Sequence, residues 1–240
     1  MLDWLLAPMD PTRLHTVGVE ISWHARLMVL AWSVFVPTGI LAARFFKIFP
    51  GQNWPQVLDD RRWWHTHRLS QYCGLVAVLA GLTFILSFQK KADADTFDLH
   101  HLLGWTTVAL CFLQILSGWL RGSKGGPSSP ARDGSLRGDH YDMTLRRRVF
   151  ERYHKSMGYA ALSISILTIA TGLWQTNAPR WMSATLFVWY CILAGAFLVL
   201  QRRGMAHDTY QAIWGPDEVH PGNTHDPIGL GIKKIPKTRT

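Results

Sequence analysis

Four histidines in this sequence sit at the mouths of long apolar runs: His24, His67, His100 and His154. Imidazole is both a metal ligand and a proton carrier near neutral pH. Ionisable side chains at the edge of hydrocarbon are costly and tend to mark a task. One histidine in such a place can simply lie half wet at an interface. Four runs that repeat the placement argue for a shared chemistry, and imidazoles in pairs grip a metal from two sides.

The elements that must position them follow from length and hydropathy. Five apolar runs are predicted as helices, over roughly 24–46, 67–88, 100–120, 154–174 and 181–201. Each can cross a bilayer, because about 20 residues at ~1.5 Å span a hydrocarbon core of about 30 Å. Helices are required because lipid leaves no outside partner for backbone N–H and C=O groups. The predicted fold class is an all-α membrane protein, with four His-bearing core helices and one C-terminal helix that carries no histidine. The layout is a short N-terminal segment (1–21), a membrane domain (22–201) and a tail (202–240). The start "MLDWLLAPMDPTRLH" has no basic opening and too short an apolar core for a cleavable signal peptide. Cys73, Cys111 and Cys191 fall inside spans and read as small packing residues.

Charge sets the expected orientation. Of the 25 Lys and Arg, Arg26, Arg68 and Lys155 stand beside histidines. Eighteen of the others fall in the first–second loop, the third–fourth loop and the tail, against four (Arg13, Lys90, Lys91 and Arg180) on the other side. Positive charge stays cytoplasmic, so the N-terminus is expected outside and the tail inside. "LRRRVFERYHK" then reads as a topology anchor against anionic lipid heads. Nucleic-acid binding is disfavoured, because the basic residues adjoin spans. "RGSKGGPSSPARDGSLRGDH" (121–140) reads as a mobile loop.

Alternating chain direction places His24 and His100 near the outer face and His67 and His154 near the inner face. Two imidazoles per site, with no Cys or carboxylate set beside them, suit bis-His haem iron better than four-coordinate zinc. No CxxCH occurs, so covalent c-type haem is not indicated. Residues at +4 and +7 share the face of each histidine. They include Gly104 and Thr107 after His100, Gly158 and Ala161 after His154, Gln71 and Gly74 after His67, and Met28 and Ala31 after His24. Gly74, Gly104 and Gly158 leave room for a macrocycle; close helix packing is the competing reason for them. His65 has Leu69 and Tyr72 on its face, and His101 has Trp105 and Val108, so His67 and His100 are the preferred ligands. Arg26, Arg68 and Lys155 pair either with a haem propionate or with lipid phosphate.

These residues resemble the cytochrome b561 family, in particular its bacterial and DOMON-associated branches. "HARLMVLAWSVFVPTGILAAR", "WWHTHRLSQYCG", "HHLLGW" and "RYHKSMGYAALSISILTIATGL" are similar to its four core helices, over roughly 22–175. The resemblance implies two non-covalent haem b groups, one near each face, and an electron-transfer cytochrome or transmembrane oxidoreductase. Its outer iron would lie between His24 and His100, and its inner iron between His67 and His154. Eukaryotic relatives take electrons from ascorbate inside and pass them to monodehydroascorbate or ferric iron outside. This sequence departs from them in lacking an extra helix before the core, a DOMON domain and a clear basic ascorbate segment; only Arg44 and Lys47 stand there. Expected partners are the lipid bilayer and a redox donor and acceptor (ascorbate, quinol or a protein). Rival expectations are a quinol or superoxide oxidoreductase with the same haems and a haem-bearing anchor subunit of a respiratory complex. The fifth helix is read as a packing or homodimer element, with Trp181 and Trp189 at the interface or facing lipid.

Overall fold

The structure is a computed structural model that describes residues 2–92, 98–125, 127–128, 130 and 132–236. Five helices are long and apolar enough to cross a membrane: Val19–Phe45, Arg62–Gln89, Leu99–Trp119, Leu145–Gln175 and Arg180–Arg202, here called the first to fifth spans. No strand occurs among the described residues. The chain is an all-α, multi-pass membrane protein.

The second and fourth spans begin earlier than the apolar runs. The helices start at Arg62 and Leu145, so His67 and His154 lie inside them rather than at their first residue. In the fourth span the reason is a run of charge pairs along the helix itself. Arg147, Glu151 and Lys155 are spaced four apart on one helical face, and both cations bond the buried Glu151 carboxylate, at 2.9 and 2.6 Å. Three cations read as loop or lipid-facing charges are also buried: Arg44 at 7%, Lys47 at 3% and Arg147 at 7% exposure.

The chain forms two compact units. The first comprises the described residues of Met1–Gly39, Leu69–Cys111 and Ala160–Ala196. Its core is Trp32 among the smaller Ala31, Ala77, Val78, Val108 and Ala161, whose size lets helices approach closely. The first span is α-helical over Val19–Val29, π-helical over Leu30–Phe35 and α-helical again over Val36–Phe45. Pro37 lacks an N–H and leaves the Ser33 carbonyl without its usual i+4 donor. The Trp189 indole N–H fills that vacancy at 2.7 Å, and Ser33 Oγ meets the Tyr190 hydroxyl at 2.7 Å. Trp189 therefore ties the fifth span to the first. The N-terminal segment is docked by Asn177, whose amide donates to the carbonyls of Asp10 and Arg13 and accepts from the Asp10 N–H.

The second unit comprises the described residues of Ile40–Arg68, Phe112–Tyr159 and Phe197–Thr240. Its core is built largely on the tail. The short helix Thr209–Trp214 is buried throughout, capped by the Asp208 carboxylate and ended by Gly215 at φ 88°. Tyr210, Ile213 and Trp214 pack with Trp63, Met143 and Ile228. Each large apolar side chain buried in this way contributes about 1.5–3 kcal/mol. Further along, three side chains hold three tail carbonyls. Lys155 donates to Ile228 (2.7 Å), Arg44 to Leu230 (2.6 Å) and Gln201 to Gly231 (2.9 Å). The end of the 121–140 loop is packed as well: His140 is 1% exposed, against Tyr210 and Trp214.

Candidate functional site

The four histidines meet in two pairs. In the first unit the rings of His24 and His100 have centroids 6.4 Å apart and planes at 88°. In the second, His67 and His154 are 6.2 Å apart with planes at 76°. A metal atom bonded end-on by two imidazoles at ~2 Å each puts the ring centres about 6 Å apart. Both pairs have that separation, and all four rings are half-buried.

The hydrogen bonds fix which ring nitrogen faces the partner. His24 Nδ1 lies 3.0 Å from the Gly81 carbonyl and His100 Nδ1 lies 3.1 Å from the Thr168 carbonyl. A carbonyl only accepts, so each Nδ1 carries the proton and each Nε2 keeps a free lone pair. At His154, Nδ1 lies 2.8 Å from the Ser117 hydroxyl and 2.9 Å from the Gln114 amide nitrogen. This is the arrangement in which outer partners orient metal-ligating imidazoles.

Space around the rings is set by glycines. A Cβ at Gly172 would come 2.9 Å from His100 Cε1 and 3.2 Å from its Nδ1, so the fourth span needs glycine where that imidazole lies. A Cβ at Gly104 would meet Thr168 at 3.9 Å, beside the acceptor of His100. Gly158 borders Gln114, whose amide lies between the His154 carbonyl and the Gly158 N–H. Gly74 faces Val36, Phe35 and the Ala31 carbonyl, where the second span packs on the π-helical turn of the first. Gly81, Ser117, Thr168 and Gly172 went unnoticed in the sequence. Gly172 is 72 positions from His100, and no local spacing connects them.

The three cations beside the histidines are placed differently. The Arg26 guanidinium lies 5.4 Å from the Trp23 ring and that of Arg68 5.7 Å from the Trp64 ring. Lys155 donates to Glu151 and to the Ile228 carbonyl. His65 is exposed, whereas His67 faces His154. His101 stands 6.0 Å from the His100 ring and bonds Asp98 at 2.9 Å. Among the described residues, no group of three or more His, Cys, Asp or Glu is arranged to hold a metal ion. The available donor sets are imidazole pairs, and a bis-His iron of a macrocycle needs no more from the protein.

The family model described as eukaryotic cytochrome b561 matches residues 23–122, a stretch that contains His24, His67 and His100. Residues 23–122 are thus similar to the cytochrome b561 family. The chain is similar to a cytochrome b561, DM13 and DOMON domain-containing protein of Arabidopsis thaliana, 27% identical over 190 residues, 75% of this chain and 18% of that one. A cytochrome b561 and DOMON domain-containing protein of the same plant is 30% identical over 150 residues, 62% of this chain and 27% of that one. Ferric-chelate reductase 1 of Homo sapiens is 28% identical over 151 residues, 62% of this chain and 22% of that one. The chain thus spans about a quarter or less of the length of these three relatives. No solved structure matches it. Likeness to the cytochrome b561 family implies a haem b cofactor, and the paired imidazoles have the spacing that such a group requires.

Proposed function

We propose that this chain carries electrons across a membrane through two bis-His haem b groups, from an inner-side donor to an outer-side acceptor. The observation that supports it most is the two imidazole pairs, 6.4 and 6.2 Å apart between ring centres. In this reading His24 and His100 hold the outer iron and His67 and His154 the inner iron. Bound haem supplies a one-electron carrier. The protein's own contribution is to hold His24, His100 and His154 through Gly81, Thr168 and Ser117 and to keep polar groups near each site. Gly74, Gly104 and Gly158 clear space, Arg26 and Arg68 face propionates, and Lys155 acts with its ammonium already shared by Glu151 and Ile228. The membrane is a bacterial inner membrane, with residues 1–21 outside and 202–240 cytoplasmic; the distribution of Lys and Arg supports this orientation. The curated relatives include proteins named ferric-chelate reductase, which supports a ferric chelate as the outer acceptor.

Haem content per chain tests the reading directly. A pyridine haemochrome assay is expected to give a value near two. His100→Ala should lower it toward one and His101→Ala should leave it unchanged. His67→Ala and His154→Ala should remove the same haem. In proteoliposomes loaded with ascorbate, an external ferric chelate should be reduced by the wild type and by His101→Ala, and not by the His67, His100 or His154 variants. A value of one haem for the wild type, or His67 and His154 acting on different haems, would overturn the assignment.

A further inference from the structure

His24 Nδ1 lies against the Gly81 carbonyl, His100 Nδ1 against the Thr168 carbonyl and His154 Nδ1 against the Ser117 hydroxyl. At His67 a flat aromatic surface also meets the ring. The Trp64 indole is stacked on the imidazole, with centroids 6.1 Å apart and planes at 27°. Trp64 precedes His67 by three residues on the same helix, so the two share a face. The indole is itself anchored. Trp63, buried at 8% exposure in the tail-packed core, meets it edge-on at 5.7 Å. The Arg121 guanidinium lies 4.2 Å from the centre of the Trp64 ring, and that of Arg68 lies 5.7 Å from it.

We propose that Trp64 is a positioning residue for His67, and that Arg121, held against the indole, raises the reduction potential of the iron that His67 would bind. The proposal rests on the haem reading above. A guanidinium over an indole face is attracted by the ring quadrupole. Its charge therefore stays beside the ligand's stacking partner instead of turning toward solvent or lipid phosphate. Ferric iron carries one more positive charge than ferrous, so a fixed cation nearby favours the reduced state. Ligand orientation and charge near the site are two of the means by which a protein tunes haem iron. Arg68 adds to the same effect from a greater distance. "WWHTHR" thus gains a reason for its second tryptophan beyond interface anchoring.

The test uses the full-length chain purified with its haem. Arg121→Gln is expected to keep the wild-type haem content while lowering the midpoint potential of one haem, the one lost in His67→Ala. The other haem should titrate unchanged, and Arg121→Lys should recover part of the shift. Trp64→Ala is expected to move the low-spin ferric electron paramagnetic resonance signal of that same haem, or to release it, while Trp64→Phe stays close to wild type. Unaltered potentials in Arg121→Gln together with an unaltered signal in Trp64→Ala, at full haem content, would overturn the proposal. A shift confined to the haem of His24 and His100 would overturn it equally. A wild-type protein that binds no haem would instead remove the underlying reading, and this proposal with it.

Discussion

Gly172 is the residue on which the His24–His100 pair presses most closely. Substituting alanine puts a methyl 2.9 Å from His100 Cε1, and the ring cannot keep its place. On the proposed two-haem reading, Gly172→Ala should therefore lower haem content toward one per chain, with the haem assigned to His67 and His154 retained, as read by absorbance and redox titration. Lys47 carries a different consequence. Burial, and then the nearby Lys155 charge, push its ammonium down from 10.5 to about 7. Between those values the unfolded chain binds a proton that the folded chain does not, so stability rises with pH above about 7, and the penalty is complete below it. Lys47→Met should raise the melting temperature at pH 7 by about 2–4 °C or more and flatten its rise between pH 7 and 10. An unchanged pH profile would contradict this account. His140, also buried, is pushed well below its ordinary value first by burial and then by Arg147, so it folds as a neutral ring. Acidification below its unfolded value then favours the unfolded state.

At the scale of elements, the spans were legible where hydropathy alone decides. The five apolar runs sit inside the five observed helices or overrun their ends by a residue. What hydropathy could not give is where helix begins in polar sequence. Arg62–Thr66 and Leu145–Tyr153 carry charges that a reading of apolar runs assigns to loops, yet they are helical because Glu151, Arg147 and the tail pair with or cover them. The π-helical turn Leu30–Phe35 was equally hidden, because it depends on a partner, Trp189, more than 150 residues away. Trp189→Phe removes the donor to the Ser33 carbonyl and leaves that group unpaired within the bilayer. A loss of about 1–3 kcal/mol is expected, measured as thermal stability in detergent with haem content unchanged. The four ligand candidates are chosen from spacing, since the residues that follow His67 and His100 separate them from His65 and His101. Their outer partners could not be, because Gly81, Ser117 and Thr168 are brought in by other helices.

For the molecule as a whole, the tail is the largest departure from the reading of a membrane bundle with loops. Residues 206–214 are nearly all buried, and the Glu151 carboxylate lies at 4% exposure between Arg147 and Lys155. Glu151→Gln leaves the buried Arg147 and the half-buried Lys155 without their counter-ion and should cost about 3–5 kcal/mol. Loss of tail protection in limited proteolysis would report it, and wild-type protection would contradict it. The carbonyl clasp has a further consequence for biosynthesis. Its donors come from the first, fourth and fifth spans, and its acceptors, in residues 228–231, are translated after all five. A nascent chain arrested before Ile228 therefore offers Arg44, Lys155 and Gln201 no such oxygens. Resistance of a cleavage site engineered between 216 and 227 becomes a timer for membrane insertion, switching on only once three separately inserted helices have come together.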